Sequence, residues 1–268
     1  MPARLKLRHA LALGLIHGPA ELLPISSSAH TALVALRARW PYADLDPRFR
    51  KAFEVALHAG AGAALAFDER RALRGRDAAR RASLDDALLI SASLAPPALA
   101  GLVLEPFIAR RLSSPRAIAA GLLGGSVAML LADRRPECRA RADARVADGL
   151  ALGLAQAAAL APGVSRSGAT LAAARMRGFT RTDAQLLSQH AGIAVIAAAC
   201  VREAPLLAGP RAAPGSRGAY TLGAAGALLS SITSLRLRRR LVTSPPPLWP
   251  FALYRLALAA LIMRRRPR

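Results

Sequence analysis

ADGLALGLAQAAALAPGVSRSGATLAAARMR, residues 147–177, is an apolar run broken at its middle by Pro162 and by the polar turn Ser165, Arg166, Ser167. The break frees backbone amides and carbonyls that hydrocarbon cannot satisfy, so such a segment survives only against protein or a water-filled cavity. Its first half occurs twice. LALGL stands at 11–15 and again at 150–154, an offset of 139 that carries Gly14 onto Gly153, His17 onto Gln156, Ser26 onto Ser165, Ser28 onto Ser167 and Thr31 onto Thr170, with Pro24 and Pro162 nearly in register. A match that continues through two Pro-x(1–2)-Ser-x-Ser turns points to a duplication within a single membrane domain, repeat one spanning about 8–133 and repeat two about 147–266. Residues 10–35 and 147–177 are each expected to form helix, turn, helix, with the turn re-entrant or at a membrane interface. Chains built from two repeats bind their substrate where broken helices of both halves meet, which makes both polar turns candidates for one site.

Around these units charge and apolarity are segregated. Arginine-rich blocks lie at 68–81, 134–145, 236–240 and 264–268, and apolar windows lie at 84–107, 115–133, 147–163, 185–201, 219–235 and 246–263. Each window is close to the roughly 20 residues that cross a hydrocarbon core. In a chain that is 53% hydrophobic and 20% charged, this partition predicts an all-α polytopic integral membrane bundle and excludes an ordinary soluble domain. The net charge of +22 would suit nucleic acid. The basic residues, however, sit at the ends of apolar spans, where arginine favours the cytoplasmic side and meets anionic headgroups, so the expected partner is a bilayer and no nucleic acid. Placing 68–81, 134–145 and 236–240 in the cytoplasm satisfies that bias, and parity then leaves 264–268 outside. The Pro- and Gly-rich stretch 202–218 reads as an extramembrane connection. The basic and then apolar N-terminus imitates a signal peptide, but His17 and Glu21 interrupt it, and retention is expected. Cys138, in a basic loop, and Cys200, in an apolar span, form neither a disulfide framework nor a metal cluster.

Two segments carry chemistry. In PGVSRSGAT, 162–170, Gly163 and Gly168 let the backbone approach a ligand, Ser165, Ser167 and Thr170 offer hydroxyls, and Arg166 supplies a planar fork for phosphate oxygens. If Arg166 and Thr170 lie on the first helical turn they share a face beside free amides that favour an anion. The competing reading is an interfacial loop whose arginine snorkels to headgroups. In HGPAELLPISSSAH, 17–30, His17 and Glu21 share a helical face and His30 follows a serine-rich turn. Ionisable groups inside an apolar segment are expensive and usually functional. A carboxylate beside phosphate binds a divalent cation or acts as a base, and a histidine attacks phosphorus or protonates a leaving oxygen. Glu54 and Arg255 each read as a helix-end charge or a buried partner, and His190 as a packing histidine.

Four stretches together, GLIHGPAELLPISSSAH at 14–30, KAFEVALHAGA at 51–61, PGVSRSGAT at 162–170 and WPFALYRLALAA at 249–260, resemble the undecaprenyl-diphosphate phosphatase family, the bacitracin-resistance type of lipid-carrier phosphatase. The resemblance covers nearly the whole chain. It implies two inverted repeats with re-entrant elements, a site opening towards the outer face of the inner membrane, and hydrolysis of a polyprenyl diphosphate to the monophosphate and inorganic phosphate, aided by magnesium or calcium. It places the family's second motif glutamate on Glu21, its serine on Ser27, its histidine on His30, and its phosphate-binding Ser, Arg and Thr on Ser165, Arg166 and Thr170. The chain departs from the family at His17, where a glutamate is usual, and at His58, where a glutamine is more common. An imidazole cannot reproduce a hard oxygen ligand for magnesium or calcium.

The expected catalytic set is therefore Glu21, Ser27, His30, Arg166 and His17, the substrate-binding set Ser26, Ser165, Arg166, Ser167 and Thr170, and the metal ligand Glu21. Arg166 and its hydroxyl neighbours hold the diphosphate, His30 is nucleophile or general acid, and Glu21 orients it or binds the cation. A polyprenyl-phosphate flippase, which uses the same broken-helix architecture, and a paralogue acting on another prenyl phosphate are the competing functions. A homodimer is an allowed assembly.

Overall fold

Proline and serine divide the chain into helices. Pro47 opens one helix, Pro115 sits just inside another whose first amides are capped by Ser114, and Pro106 and Pro250 begin two more, positions where the missing N–H would be unpaired anyway. A computed structural model describes residues 5–42, 44–74, 84–112, 114–208 and 216–264. Among them are eleven α-helices. Those of the first half are α1 (Leu7–Leu22), α2 (Ser27–Arg37), α3 (Pro47–Arg74), α4 (Leu84–Val103), α5 (Glu105–Arg111) and α6 (Pro115–Asp133); those of the second are α7 (Val146–Ala158), α8 (Arg166–Met176), α9 (Arg181–Ala208), α10 (Ser216–Thr243) and α11 (Trp249–Met263).

The two helix-turn-helix units expected at 10–35 and 147–177 are α1–α2 and α7–α8. The spans need correction. Among the described residues three helices are long and apolar enough to cross a bilayer, Leu84–Val103, Pro115–Asp133 and Arg181–Pro205, where the sequence offered six windows. The window 84–107 breaks at Leu104, between α4 and α5, and 147–163 ends as a helix at Ala158. A helix of 13 residues is about 20 Å long, short of a core about 30 Å thick. The window 246–263 yields only the 15 residues of α11, and 219–235 lies inside the longer, partly basic α10. The connection expected at 202–218 is also shorter: α9 continues through Pro205 to Ala208, and 209–215 lie outside the described residues. The basic blocks 68–81 and 264–268 likewise run past the last described positions, Arg74 and Arg264.

The distribution of polarity is that of a membrane bundle. Leu84, Leu99, Leu102, Val103, Leu154 and Val201 face outwards, while Arg175, Arg255, Asp148 and Thr170 are fully buried. Water would reverse that arrangement, whereas lipid favours it, because polar side chains in a bilayer turn to the bundle interior. With lipid outside, helices associate through close packing of small residues. On α1, a Cβ added at Gly14 would fall 2.2 Å from the Gly223 carbonyl oxygen of α10, and one at Gly18 2.1 Å from Ser230 Oγ. On α7, a Cβ at Gly149 would fall 2.2 Å from the Leu89 carbonyl oxygen of α4 and one at Gly153 2.7 Å from Pro96 Cδ.

Candidate functional site

The two polar turns fold alike and lie against each other. Ser26 caps α2 by accepting from Ala29 N, and Ser165 caps α8 by accepting from Gly168 N. Ser26 and Ser28 hydroxyls are 3.2 Å apart, as are those of Ser165 and Ser167. Thr31 Oγ1 donates to the Ser28 carbonyl and Thr170 Oγ1 to that of Ser167. Every one of these pairs is related by the offset of 139. Across the contact, Gly163 N donates to Ser28 Oγ (3.4 Å) and Ser167 Oγ to the Leu23 carbonyl (3.2 Å). Two short helices thus bring their N-termini, with free amides and hydroxyls, to one place, an arrangement suited to an anion.

Glu21, in the last turn of α1, lies at the centre. Ser27 Oγ donates to its Oε2 and Arg166 Nη2 to its Oε1, each at 2.7 Å. Positions 27 and 166 correspond under the offset, so one carboxylate is gripped from both halves. His17 Nε2 lies 3.8 Å and His58 Nδ1 3.4 Å from Oε2, and the two imidazoles meet edge to face at 4.6 Å. Arg166 is seated beside Gly192 of α9, where a Cβ would fall 1.8 Å from Nη1. Glu21, Arg166, Ser167, Gln185, Ser188 and Gln189 line a small cavity at this point.

His30 stands apart from that cluster. Its Nδ1 is 2.7 Å from the Ser26 carbonyl oxygen, and its Nε2 is 2.7 Å from Tyr254 Oη on α11, on whose ring it stacks. A carbonyl can only accept, so Nδ1 carries the proton and the lone pair is on Nε2. Glu21 therefore orients Arg166, and not His30 as the sequence suggested. Thr170 also differs from expectation. It is 0% exposed, and its hydroxyl is bonded to the Arg166 and Ser167 carbonyls and to Ser188 Oγ, so it braces the start of α8 and does not face a ligand.

Sequence reading named His58 only as a departure and missed Gly192, Ser188 and Tyr254. All four lie on helices remote from the two turns, and no local pattern marks them. Glu54 is a half-buried partner, accepting from Tyr42 Oη at 2.9 Å. His190 is not a packing residue: its ring nitrogens lie 3.1 Å from Arg141 Nη1 and 3.1 Å from Glu69 Oε1. The block 134–145 is partly tied to the protein itself, since Arg139 and Arg177 both hold the buried Asp148 and Arg141 pairs with Asp86. Arg255 is fully buried and donates to the carbonyls of Pro24 and Gly163, one in each turn, and to those of Gly121 and Leu122.

A cationic fork, two helix N-termini, an imidazole whose Nε2 lone pair accepts from the Tyr254 phenol and a buried carboxylate form a set that can bind a phosphate ester and, once the phenol is displaced, attack phosphorus. Comparison with known proteins agrees. The family described as bacitracin resistance protein BacA matches residues 10–261. An undecaprenyl-diphosphatase from Thioalkalivibrio sulfidiphilus is 36% identical over 94% of this chain and 96% of its own length. Those of Geobacter metallireducens and Campylobacter concisus are 34% and 33% identical, over 94% and 97% of this chain and 95% and 98% of theirs.

Proposed function

The chain belongs to the bacitracin resistance protein BacA family, and we propose that it is an undecaprenyl-diphosphate phosphatase: it cleaves the phosphoanhydride of a polyprenyl diphosphate in the bacterial inner membrane, which it crosses several times. The products are the lipid monophosphate and inorganic phosphate, which returns the carrier to cell-wall synthesis and confers bacitracin resistance. The observation that carries this reading is Arg166. It stands at the N-terminus of α8, beside the N-terminus of α2, fixed by Glu21 with its Nε buried and without a hydrogen-bond partner. A bidentate guanidinium between two helix N-termini is matched to a diphosphate, which carries more charge than a single N-terminus balances.

Ser26 and Ser165 hold the two N-termini, and Ser167 and Ser27 present hydroxyls beside them. His30 is the nucleophile. With its Nδ1–H given to the Ser26 carbonyl, the Nε2 lone pair attacks the terminal phosphorus, the phosphoanhydride bond breaks, and the lipid monophosphate leaves with the bridging oxygen; water then cleaves the phosphorus–nitrogen bond. Tyr254, which hydrogen-bonds Nε2, keeps the imidazole neutral and aimed until substrate displaces the phenol. Magnesium or calcium, the cation the resemblance implies, would find one carboxylate at Glu21 flanked by two imidazoles. Hard cations take oxygen ligands and the two imidazoles supply none, so the protein offers such an ion a single carboxylate, and no step here uses it.

The two repeats, about 8–133 and 147–266, belong to this reading. It is supported by the matched hydrogen bonds of the turns and by exchange of partners: α1 packs on α10, and its counterpart α7 packs on α4, the counterpart of α10. Inorganic phosphate released from a long-chain polyprenyl diphosphate by the purified chain in detergent tests the function, with the molar mass of the complex deciding between monomer and homodimer. Arg166→Ala and Arg166→Lys should both lower the initial rate by about 100-fold or more, the loss seen when one preorganised donor is removed, because a point charge does not replace a planar fork. Release that persists in the lysine variant would reduce Arg166 to a screening charge; no release from the unmodified chain would favour a carrier of lipid phosphate.

A further inference from the structure

His17, Glu21 and His58 converge from two helices. His17 and Glu21 are one turn apart on α1, and His58 comes from α3. Their ligand atoms all lie within 4.8 Å of one another, with Glu21 Oε2 the common neighbour at 3.8 Å and 3.4 Å. A tetrahedral ion with bonds of about 2.0–2.2 Å to nitrogen and oxygen sets its ligand atoms about 3.3–3.5 Å apart, so the two edges to Glu21 already lie within about half an ångström of that spacing, and closing the edge between the imidazoles, which is within 4.8 Å, asks for a shift of up to about 1.5 Å, within reach of a rotation of the rings.

Two further observations point to a ligand. His17 is 2% exposed, yet neither of its ring nitrogens has a hydrogen-bond partner, and His58 Nδ1 is buried in the same condition. Buried polar atoms left without a hydrogen bond cost free energy, and two of these nitrogens, His17 Nε2 and His58 Nδ1, face the same carboxylate oxygen at ion-pair rather than hydrogen-bond geometry. Glu21 is also oriented from outside the group, by Ser27 and Arg166, in the way that outer hydrogen bonds fix a ligating carboxylate.

The geometry points to a site for a borderline divalent transition-metal ion of the zinc type, held by His17, Glu21 and His58. Two imidazoles and one carboxylate suit zinc, cobalt or a neighbouring ion and disfavour magnesium and calcium. Three protein ligands leave one coordination position for water or a phosphate oxygen. The site stands on geometry, independently of the hydrolase reading.

Cobalt(II) is the spectroscopic probe. The full-length chain in detergent is stripped with chelator, titrated with cobalt(II), and then challenged with zinc. One equivalent of cobalt per chain should bind, with visible d–d bands of four- or five-coordinate intensity, and zinc should abolish the bands while millimolar magnesium or calcium leaves them. His58→Gln and His17→Ala should each weaken cobalt binding by more than the about 10–100-fold that follows loss of an outer-shell partner. His9→Gln, whose ring stacks on Trp40 away from the site, should bind as the unmodified chain does. Absence of stoichiometric cobalt or zinc in the unmodified chain overturns the inference whatever the variants do, as does undiminished binding in both histidine variants. Phosphate release assayed on the same samples keeps the two readings apart: hydrolysis without metal uptake sinks the metal site alone, and metal uptake without hydrolysis supports the site and sinks the phosphatase.

Discussion

Glu21 offers two oxygens, and the two halves of the chain share them: Ser27 donates to Oε2 and Arg166 to Oε1. The guanidinium is therefore fixed at one end, and its other end abuts α9 at Gly192, where a side chain would begin 1.8 Å from Nη1. Arg166 cannot retreat from such an atom without giving up its bond to Glu21. Gly192→Ala separates local folding from function. Alanine favours the helix by roughly 0.5–1 kcal/mol over glycine, yet the substitution moves the guanidinium on which the proposed phosphate site rests. The expected outcome is a chain that folds normally in detergent and releases phosphate about 10–100-fold more slowly, the order of loss that a misplacement near 1 Å produces. Unchanged initial rates would show that the guanidinium has a second productive seat. The same residue shows where sequence reading stops. Arg166 and Glu21 are legible because each is a charge in an apolar segment, but Gly192 stands among alanines and valine, and only the packing of α9 against α8 gives it meaning.

At the scale of helices, the two turns were readable because the signals are local and repeated: proline ends an apolar run, and serine opens the next helix. The spanning helices were less so. Hydropathy averaged over a window dilutes the single Glu105–Pro106 step at which α4 gives way to α5, and it cannot register that α7 ends at Ala158, where the residues on both sides are apolar; there, what decides is whether the backbone is satisfied by neighbouring protein. The matched caps also differ in one respect that the repeat conceals. Ser165 has φ −60°, whereas Ser26 has φ 72°, a region that costs an L-residue roughly 1–2 kcal/mol. Removing the Ser165 hydroxyl should cost about 1 kcal/mol, the worth of an N-cap. Ser26→Ala should cost more, because alanine loses the cap and keeps the strain, while Ser26→Gly should be nearly neutral in stability, since glycine relieves the strain. Unfolding midpoints of the three variants in one detergent check the order: Ser26→Ala lowest, Ser165→Ala between, and Ser26→Gly nearest the unmodified chain.

Across the whole molecule, the halves meet through exchanged helices and through one buried cation. Arg255 reaches the Pro24 carbonyl in the first turn and the Gly163 carbonyl in the second, at 3.4 Å and 3.2 Å, positions that are themselves related by the offset of 139. Among the described residues no carboxylate lies within ion-pair distance of it, so carbonyl dipoles and the Ser126 hydroxyl, to which its Nε donates at 3.4 Å, balance its charge. That sets two readings against each other. If Arg255 merely fills volume, Arg255→Met should be neutral or stabilising, as it is when a buried charge is replaced by an apolar side chain of similar size. If it joins the turns, methionine leaves at least two buried carbonyls without donors, each loss worth about 1–3 kcal/mol, and unfolding should occur at a clearly lower temperature. Arg255→Lys discriminates further. An ammonium can satisfy one turn but does not span both with a planar fork, so stability should recover in part while phosphate release stays depressed, because the two helix N-termini are no longer held at a fixed separation. A lysine variant that restored both stability and rate would mean that charge alone is needed at this position, and the register of the two turns would then have to come from the paired hydrogen bonds of Ser28 and Ser167.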